Sequence, residues 1–500
     1  MCFVIPGRSE AENPEPRGKR CAHCPWIPDR AARVRNDDIF EPRAKPPAPA
    51  PTMNHFHYRG GALCCEGVPL ADIASAVGTP TYVYSTATLE RHYDVFRSAF
   101  APRDVLVAFA VKANANIAVL ATLAARGAGA DTVSQGEIER ALKAGVPARR
   151  IIFSGVGKTE AELSFAYAAG VHQINVESRA EMAMLARSAT STRPAPIALR
   201  VNPNVAAGGH DKISTGRSDS KFGVSPEDAL KLYAQAHADP ALAPKGLAVH
   251  IGSQIKDLAP LEAAFRVLRT LVERLRDDGL PVERLDLGGG LGVPYFNEPD
   301  PPSPADYAAM VNRVFDGLNV ALAFEPGRMI AGNAGVLIAR VVRIQERPGR
   351  PILVLDAGMN DLIRPAIYDA YHEIRPLKGV KGDTHSLAGA VQNLNDGGNE
   401  CVSPFTPALT EYDVVGPICE TGDTFTRARA LPALAPGDLV AFMTAGAYGA
   451  VMASTYNARA LVPEVLVRGD SFAAVRRRWE LADQLALERL PDWLGAGTST

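Results

Sequence analysis

Between residues 105 and 330 one pattern recurs eight times: a short apolar run rich in β-branched residues, ending near a small or polar residue, then a stretch with helical periodicity. The runs are 105–111, 130–133, 151–154, 173–176, 197–201, 246–251, 285–288 and 321–325. Between them, segments such as Gln135–Ala144 and Leu261–Asp277 read as helices, the second with apolar residues at the three-and-four spacing of one buried face. Strands separated by helices run parallel, because each return needs a crossover. Eight is also the number of strands that closes a barrel. The expected fold class is α/β, a (β/α)8 barrel spanning 87–330. A doubly wound open sheet has the same periodicity and stands as the alternative.

Past residue 330 the character changes to strand-like stretches, Val336–Gln345, Ile352–Leu355 and Leu439–Met443, separated by Gly and Pro turns. These predict a second, mostly β domain. Thr81-Tyr-Val-Tyr-Ser85 has strand composition as well and is expected to pair with that later sheet. The β domain is then discontinuous, 53–86 plus 331–490. Residues 1–52 scatter Pro and Arg among small residues without any period, and disorder is expected there; 491–500 reads as a flexible tail. Cys21-Ala-His-Cys24 has the spacing of half a zinc site, but one pair cannot fill a tetrahedral shell, so no metal is expected.

Charge narrows the ligand. The 53 basic and 55 acidic side chains leave a net charge of −2, which offers no bulk attraction for nucleic acid or an anionic membrane. No apolar run reaches the roughly 18 residues of a membrane span, and the first 30 residues lack the apolar core of a secretory signal. The seven cysteines are odd in number and unevenly spread, so reduced thiols and a cytoplasmic location are expected. A small-molecule ligand is the remaining class.

In a parallel barrel the catalytic groups come from the C-terminal ends of the strands. Lys112 follows the first run directly, in Phe109-Ala-Val-Lys-Ala-Asn114. Apolar neighbours there are expected to lower its pKa, as an amine that forms a Schiff base requires. His250-Ile-Gly-Ser-Gln254 ends the sixth run, and Asp286-Leu-Gly-Gly-Gly-Leu-Gly292 the seventh. Glycines such as Gly289 and Gly290 let backbone amides approach a phosphate, although a glycine run also makes an ordinary tight turn. Glu325-Pro-Gly-Arg328 ends the eighth. Three more segments lie in the later part: Arg364-Pro-Ala-Ile-Tyr368, Cys419-Glu-Thr-Gly-Asp423 and Gly446-Ala-Tyr-Gly449.

These seven segments, in this order over about residues 60 to 490, resemble the alanine racemase-like, fold type III pyridoxal-phosphate enzymes, and more closely the diaminopimelate decarboxylases. The resemblance implies pyridoxal 5'-phosphate carried on Lys112, with His250 stacked on its ring and Ser253, Gly289, Gly290, Gly327 and Tyr448 around its phosphate. It implies that Glu325 faces the pyridine nitrogen and keeps it protonated, so that the ring accepts the electron pair left at Cα. Alanine racemases place an Arg there, so Glu325 points to decarboxylation. The resemblance further implies that Arg328, Arg364 and Tyr368 hold a distal substrate carboxylate, that Glu420 meets the far amino group and that Cys419 supplies a proton to Cα. Family members complete each site across a twofold interface, which implies a homodimer with Cys419 and Glu420 lent by the neighbour. A decarboxylase of ornithine or arginine has no use for Arg364. A non-catalytic protein of cofactor homeostasis, the other alternative, resembles the barrel alone. Arg200-Val-Asn-Pro203 and Lys221-Phe-Gly223 also match family segments and receive no role.

Overall fold

The computed structural model describes residues 54–207, 215–216, 220–295, 299–379 and 408–495. The expected disorder of 1–52, the Cys21 and Cys24 pair, and the tail beyond 495 lie outside the described residues.

The eight repeats form a closed parallel barrel of strands Val105–Ala110, Gly129–Thr132, Ile151–Phe153, Gln173–Val176, Ala195–Arg200, Leu242–Ala248, Arg284–Asp286 and Ala321–Phe324. Leu322 pairs with Val105 and closes the ring, which excludes the open doubly wound sheet. Strands such as Gly129–Thr132 and Gln173–Val176 are buried at every position, since helices cover one face and the barrel interior the other. Seven of the eight predicted runs overshoot the observed C-terminal ends. The sequence stays apolar there while the backbone leaves the ladder to turn over the mouth, so Lys112, Ser154, His250, Gly288 and Glu325 all sit just past a strand.

Helix starts follow local chemistry. Ser134, Ser178, Ser225 and Ser303 each accept a hydrogen bond from the backbone N–H three residues on, contacts worth about 1 kcal/mol apiece. Asp257 caps the helix Leu258–Asp277, whose buried face is Leu261, Ala264, Phe265, Leu268, Leu271, Val272 and Leu275. No helix among the described residues is long and apolar enough to cross a membrane.

The second architecture is a nine-stranded mixed sheet. Thr81–Ser85 lies inside it, paired antiparallel with the central strand Gly335–Gln345 and parallel with Glu464–Arg468. The expected early strand is therefore in the late sheet. Leu409–Val415, Thr424–Pro432 and Ser471–Arg476 complete much of the rest and were not foreseen. Sheet and barrel meet closely at Gly446, where an added Cβ would fall 2.0 Å from Ala331 O. That contact delivers the Gly446–Gly449 loop to the barrel mouth: Asn114 Nδ2 donates to Gly446 O (3.0 Å) and Tyr448 N to Ala113 O (2.8 Å).

Candidate active site

A cavity of about 390 Å³ opens at the C-terminal mouth of the barrel, lined among others by Lys112, Ser154, Arg200, His250, Asp286 and Glu325. Lys112 lies in a single 3-10 turn, Val111–Ala113, immediately after the first strand. Its ammonium is paired with Asp131, a fully buried carboxylate on the second strand. The expected lowering of its pKa is corrected by this pairing. Burial, the largest influence, does lower it, but Asp131, Glu325 and Tyr448 together outweigh burial and hold Lys112 above the usual lysine value.

Glu325 and Asp286 form a buried acid pair beneath the cavity. Asp286 accepts from Asn175 Nδ2 (2.8 Å) and from Gly288 N (3.1 Å), donors that favour its ionised form. Glu325 accepts only a long bond from Ser154 Oγ (3.3 Å), and burial, Asp131 and Asp286 push its pKa well above the ordinary range. Burial raises both carboxyls, Glu325 the further of the two, so a proton held by the pair favours Glu325.

His250 Nδ1 accepts a hydrogen bond from Gly289 N (3.2 Å). Burial, then the nearby charges of Arg200 and Lys112, push its pKa well below the usual value. The ring is neutral, with its proton on Nε2. The glycine turn beside it is sterically obligatory: Gly290 has φ +109° and a Cβ there would lie 2.7 Å from Gly252 O, while one on Gly289 would lie 2.3 Å from Glu325 O. Gly327 seats against the Lys112 turn, where an added Cβ would meet Ala113 Cβ at 2.9 Å.

Pyridoxal phosphate fits this donor set. It needs an amine to hold its aldehyde, an acid to meet its ring nitrogen and a close backbone approach for its phosphate. Lys112, Glu325 and the Gly288–Gly290 turn supply these in order. One further observation agrees: Asp131 Oδ1 is buried without a hydrogen-bond partner, so this carboxylate has acceptor capacity left over.

Arg328 continues from Glu325 and is buried, with its guanidinium over the Tyr448 ring at 4.8 Å. It donates to Ser253 Oγ (3.3 Å) and to Tyr295 Oη (3.1 Å). Arg364 opens the short helix Arg364–Tyr368 and lies over the other side of this cluster, 5.3 Å from the Tyr295 ring centroid. Tyr368 is close enough to influence both arginines. The stabilising influences on both come from tyrosines rather than carboxylates.

Cys419 and Glu420 stand apart from all of these. Both are exposed; Cys419 N donates to Asn457 Oδ1 (3.0 Å), Glu420 pairs with Tyr456, and neither lines the Lys112 cavity. The structure thus brings together Lys112, His250, Ser253, Gly289, Gly290, Glu325, Gly327, Arg328 and Tyr448, sets Arg364 and Tyr368 beside them, and leaves Cys419 and Glu420 outside. Four groups of the cluster escaped sequence reasoning: Asp131, Asp286, Tyr295 and His372. Asp131 and Asp286 had a local signal, each a charge in or at the end of a short barrel strand; Tyr295 and His372 had none.

A closed barrel with a lysine past its first strand, a glycine turn past its seventh and an acid past its eighth defines a fold type III pyridoxal-phosphate-dependent enzyme. Residues 86–332 match the pyridoxal binding domain of the pyridoxal-dependent decarboxylases. The diaminopimelate decarboxylase of Zymomonas mobilis is 46% identical over 449 residues, covering 88% of this chain and 100% of that one. That of Vibrio cholerae is 44% identical, covering 87% and 99%. The crystal structure of the Helicobacter pylori diaminopimelate decarboxylase complexed with L-lysine superposes with a TM-score of 0.75 at 36% identity, covering 84% of this chain and 98% of the other. The chain belongs to the diaminopimelate decarboxylase family.

Proposed function

We propose that the protein decarboxylates meso-2,6-diaminopimelate to L-lysine and carbon dioxide, the last step of lysine biosynthesis, with pyridoxal phosphate held on Lys112. The observation that carries the reading is the buried pair Arg328 and Arg364, held by neutral groups beside the Lys112 cavity. Buried cations that draw on tyrosines and a histidine are suited to an anionic ligand, and a second carboxylate is what distinguishes this substrate from simple diamino acids.

When bound, pyridoxal phosphate supplies the electron sink for the pair left at Cα as carbon dioxide departs. The remaining work belongs to the chain. Lys112 Nζ would hold the cofactor, and Asp131 beside it would pair with the lysine ammonium whenever the cofactor is not attached there. Glu325 would keep a proton at the ring nitrogen, with Asp286 buried beneath it. His250, uncharged, would offer a flat face to the ring. Ser253, Gly289, Gly290, Gly327 and Tyr448 would hold the phosphate. Arg328, Arg364 and Tyr368 receive the distal carboxylate of the substrate.

Reprotonation of Cα falls to Cys419, and the far ammonium to Glu420. Their exposure, away from Lys112 of the same chain, supports a homodimer in which a second copy lends both residues to each site. Cys64, Cys65 and Cys419 are free thiols, in keeping with a cytoplasmic protein. Incubation with meso-diaminopimelate, ornithine and arginine in parallel tests the reading. Lysine formation should exceed putrescine or agmatine formation by at least about 10³-fold in kcat/KM. Comparable rates on ornithine would refute it.

A further inference from the structure

Neutral groups aim the two guanidiniums. Met443 O accepts from His372 Nδ1 (2.9 Å), which fixes the imidazole in the tautomer whose Nε2 accepts, and Arg364 Nη1 donates to that Nε2 (2.9 Å). Only the neutral ring makes this bond; burial, then Arg364, pushes the pKa of His372 down to about 3. Tyr295 stands edge-on to His372, ring centroids 6.0 Å apart at 89°. Its hydroxyl accepts from Arg328 and is also bonded to Arg364. The Tyr295 segment is itself fixed, because the Gln254 side chain bonds both Val293 O (2.7 Å) and Val293 N (3.1 Å). One donor is left over: Arg364 Nε is buried without a partner. On a residue only 5% exposed, such an orphan points to an acceptor that arrives with a ligand.

We propose that Tyr295 and His372 are positioning residues that set substrate specificity, holding Arg328 and Arg364 at a preset spacing with the Tyr295 hydroxyl keeping the place of the incoming carboxylate. The proposal deepens the functional reading above and rests on it. Its physical logic is that neutral acceptors orient a guanidinium without cancelling its charge. A glutamate or aspartate in either position would form a closed ion pair and compete with the substrate. A phenol and an imidazole satisfy two donors, leave the net charge of the cluster positive and make an arriving carboxylate its first formal anion. A ligand that ends in an amine alone gains nothing from that arrangement.

L-lysine and 1,5-diaminopentane are the probes, since the first keeps a carboxylate and the second has none. Binding to the cofactor-loaded protein is followed by the change in cofactor absorbance, alongside steady-state kinetics with meso-diaminopimelate. Tyr295→Phe and His372→Phe should each weaken lysine binding about tenfold or more while 1,5-diaminopentane binding stays within about twofold. KM should rise by more than kcat falls. His372→Gln, whose amide oxygen can accept from Arg364, should recover much of the loss seen with His372→Phe. Equal losses for the two probes, or no loss for either, would overturn the proposal. A wild-type protein that converts no diaminopimelate would instead sink the functional reading, and this inference with it.

Discussion

Replacing Arg364 by Met isolates the charge on which substrate assignment rests. In the free protein this guanidinium is held below its usual pKa by burial first and by Arg328, with Tyr295 opposing, and its Nε has no partner. Its hydrogen-bond partners are His372 and Tyr295 rather than a carboxylate, so an apolar side chain of similar length strands no buried counter-charge and the variant should fold. In the complex the balance reverses. A substrate carboxylate that loses one of its two guanidiniums is left half-paired in a buried pocket, a penalty of about 2–5 kcal/mol. At about 1.4 kcal/mol per decade, kcat/KM for meso-diaminopimelate should fall about 30- to 4,000-fold. The assay is lysine release by the purified variant, after its melting temperature has been shown equal to or above that of the wild type. A kcat/KM within about threefold of wild type would refute the carboxylate pocket. A large fall accompanied by a lowered melting temperature would refute the stability argument, because the damage would then lie in the fold.

Two further outcomes follow from the same geometry. Lys112→Ala and Cys419→Ala should each be inactive alone. If two chains share each site, mixing the two variants and allowing subunits to exchange should restore about a quarter of wild-type activity, since half the dimers are hybrids with one intact site each; activity that stays at baseline counts against sharing. Glu325→Gln should lower kcat about 10²-fold or more by removing the acid at the ring nitrogen. Its effect on the cofactor-free protein should be opposite in sign. A carboxyl whose folded pKa is raised contributes full stability below its ordinary value of about 4.3 and loses it as pH rises toward the folded pKa. The Gln variant escapes that loss, so its melting temperature should exceed wild type at pH 7 by more than at pH 5; the reverse order would mean that Glu325 is ionised.

The barrel was legible because strands buried on both faces leave continuous apolar runs, and the loops after them concentrate unusual residues. Ile352–Leu355 and Gln173–Val176 were located to the residue. Strands such as Thr424–Pro432, Phe-Thr-Arg-Ala-Arg within it, were not, because an exposed sheet face tolerates charge and its pattern breaks at a bulge. Lys112 was placed correctly but its proton affinity was inverted, since Asp131 lies one strand away and no local sequence signal links the two. Tyr295 and His372 were invisible for a similar reason. Their importance comes from Arg364 and Arg328, which the fold gathers from separate elements.

Every role assigned at the barrel mouth depends on Lys112 carrying the cofactor. Borohydride reduction of the cofactor-loaded protein fixes the linkage, and peptide mass spectrometry then locates the modified lysine. A single labelled peptide containing Phe109-Ala-Val-Lys112-Ala-Asn is expected, and no label in Lys112→Ala. Label on any other lysine, or an unchanged cofactor absorbance in that variant, would contradict it.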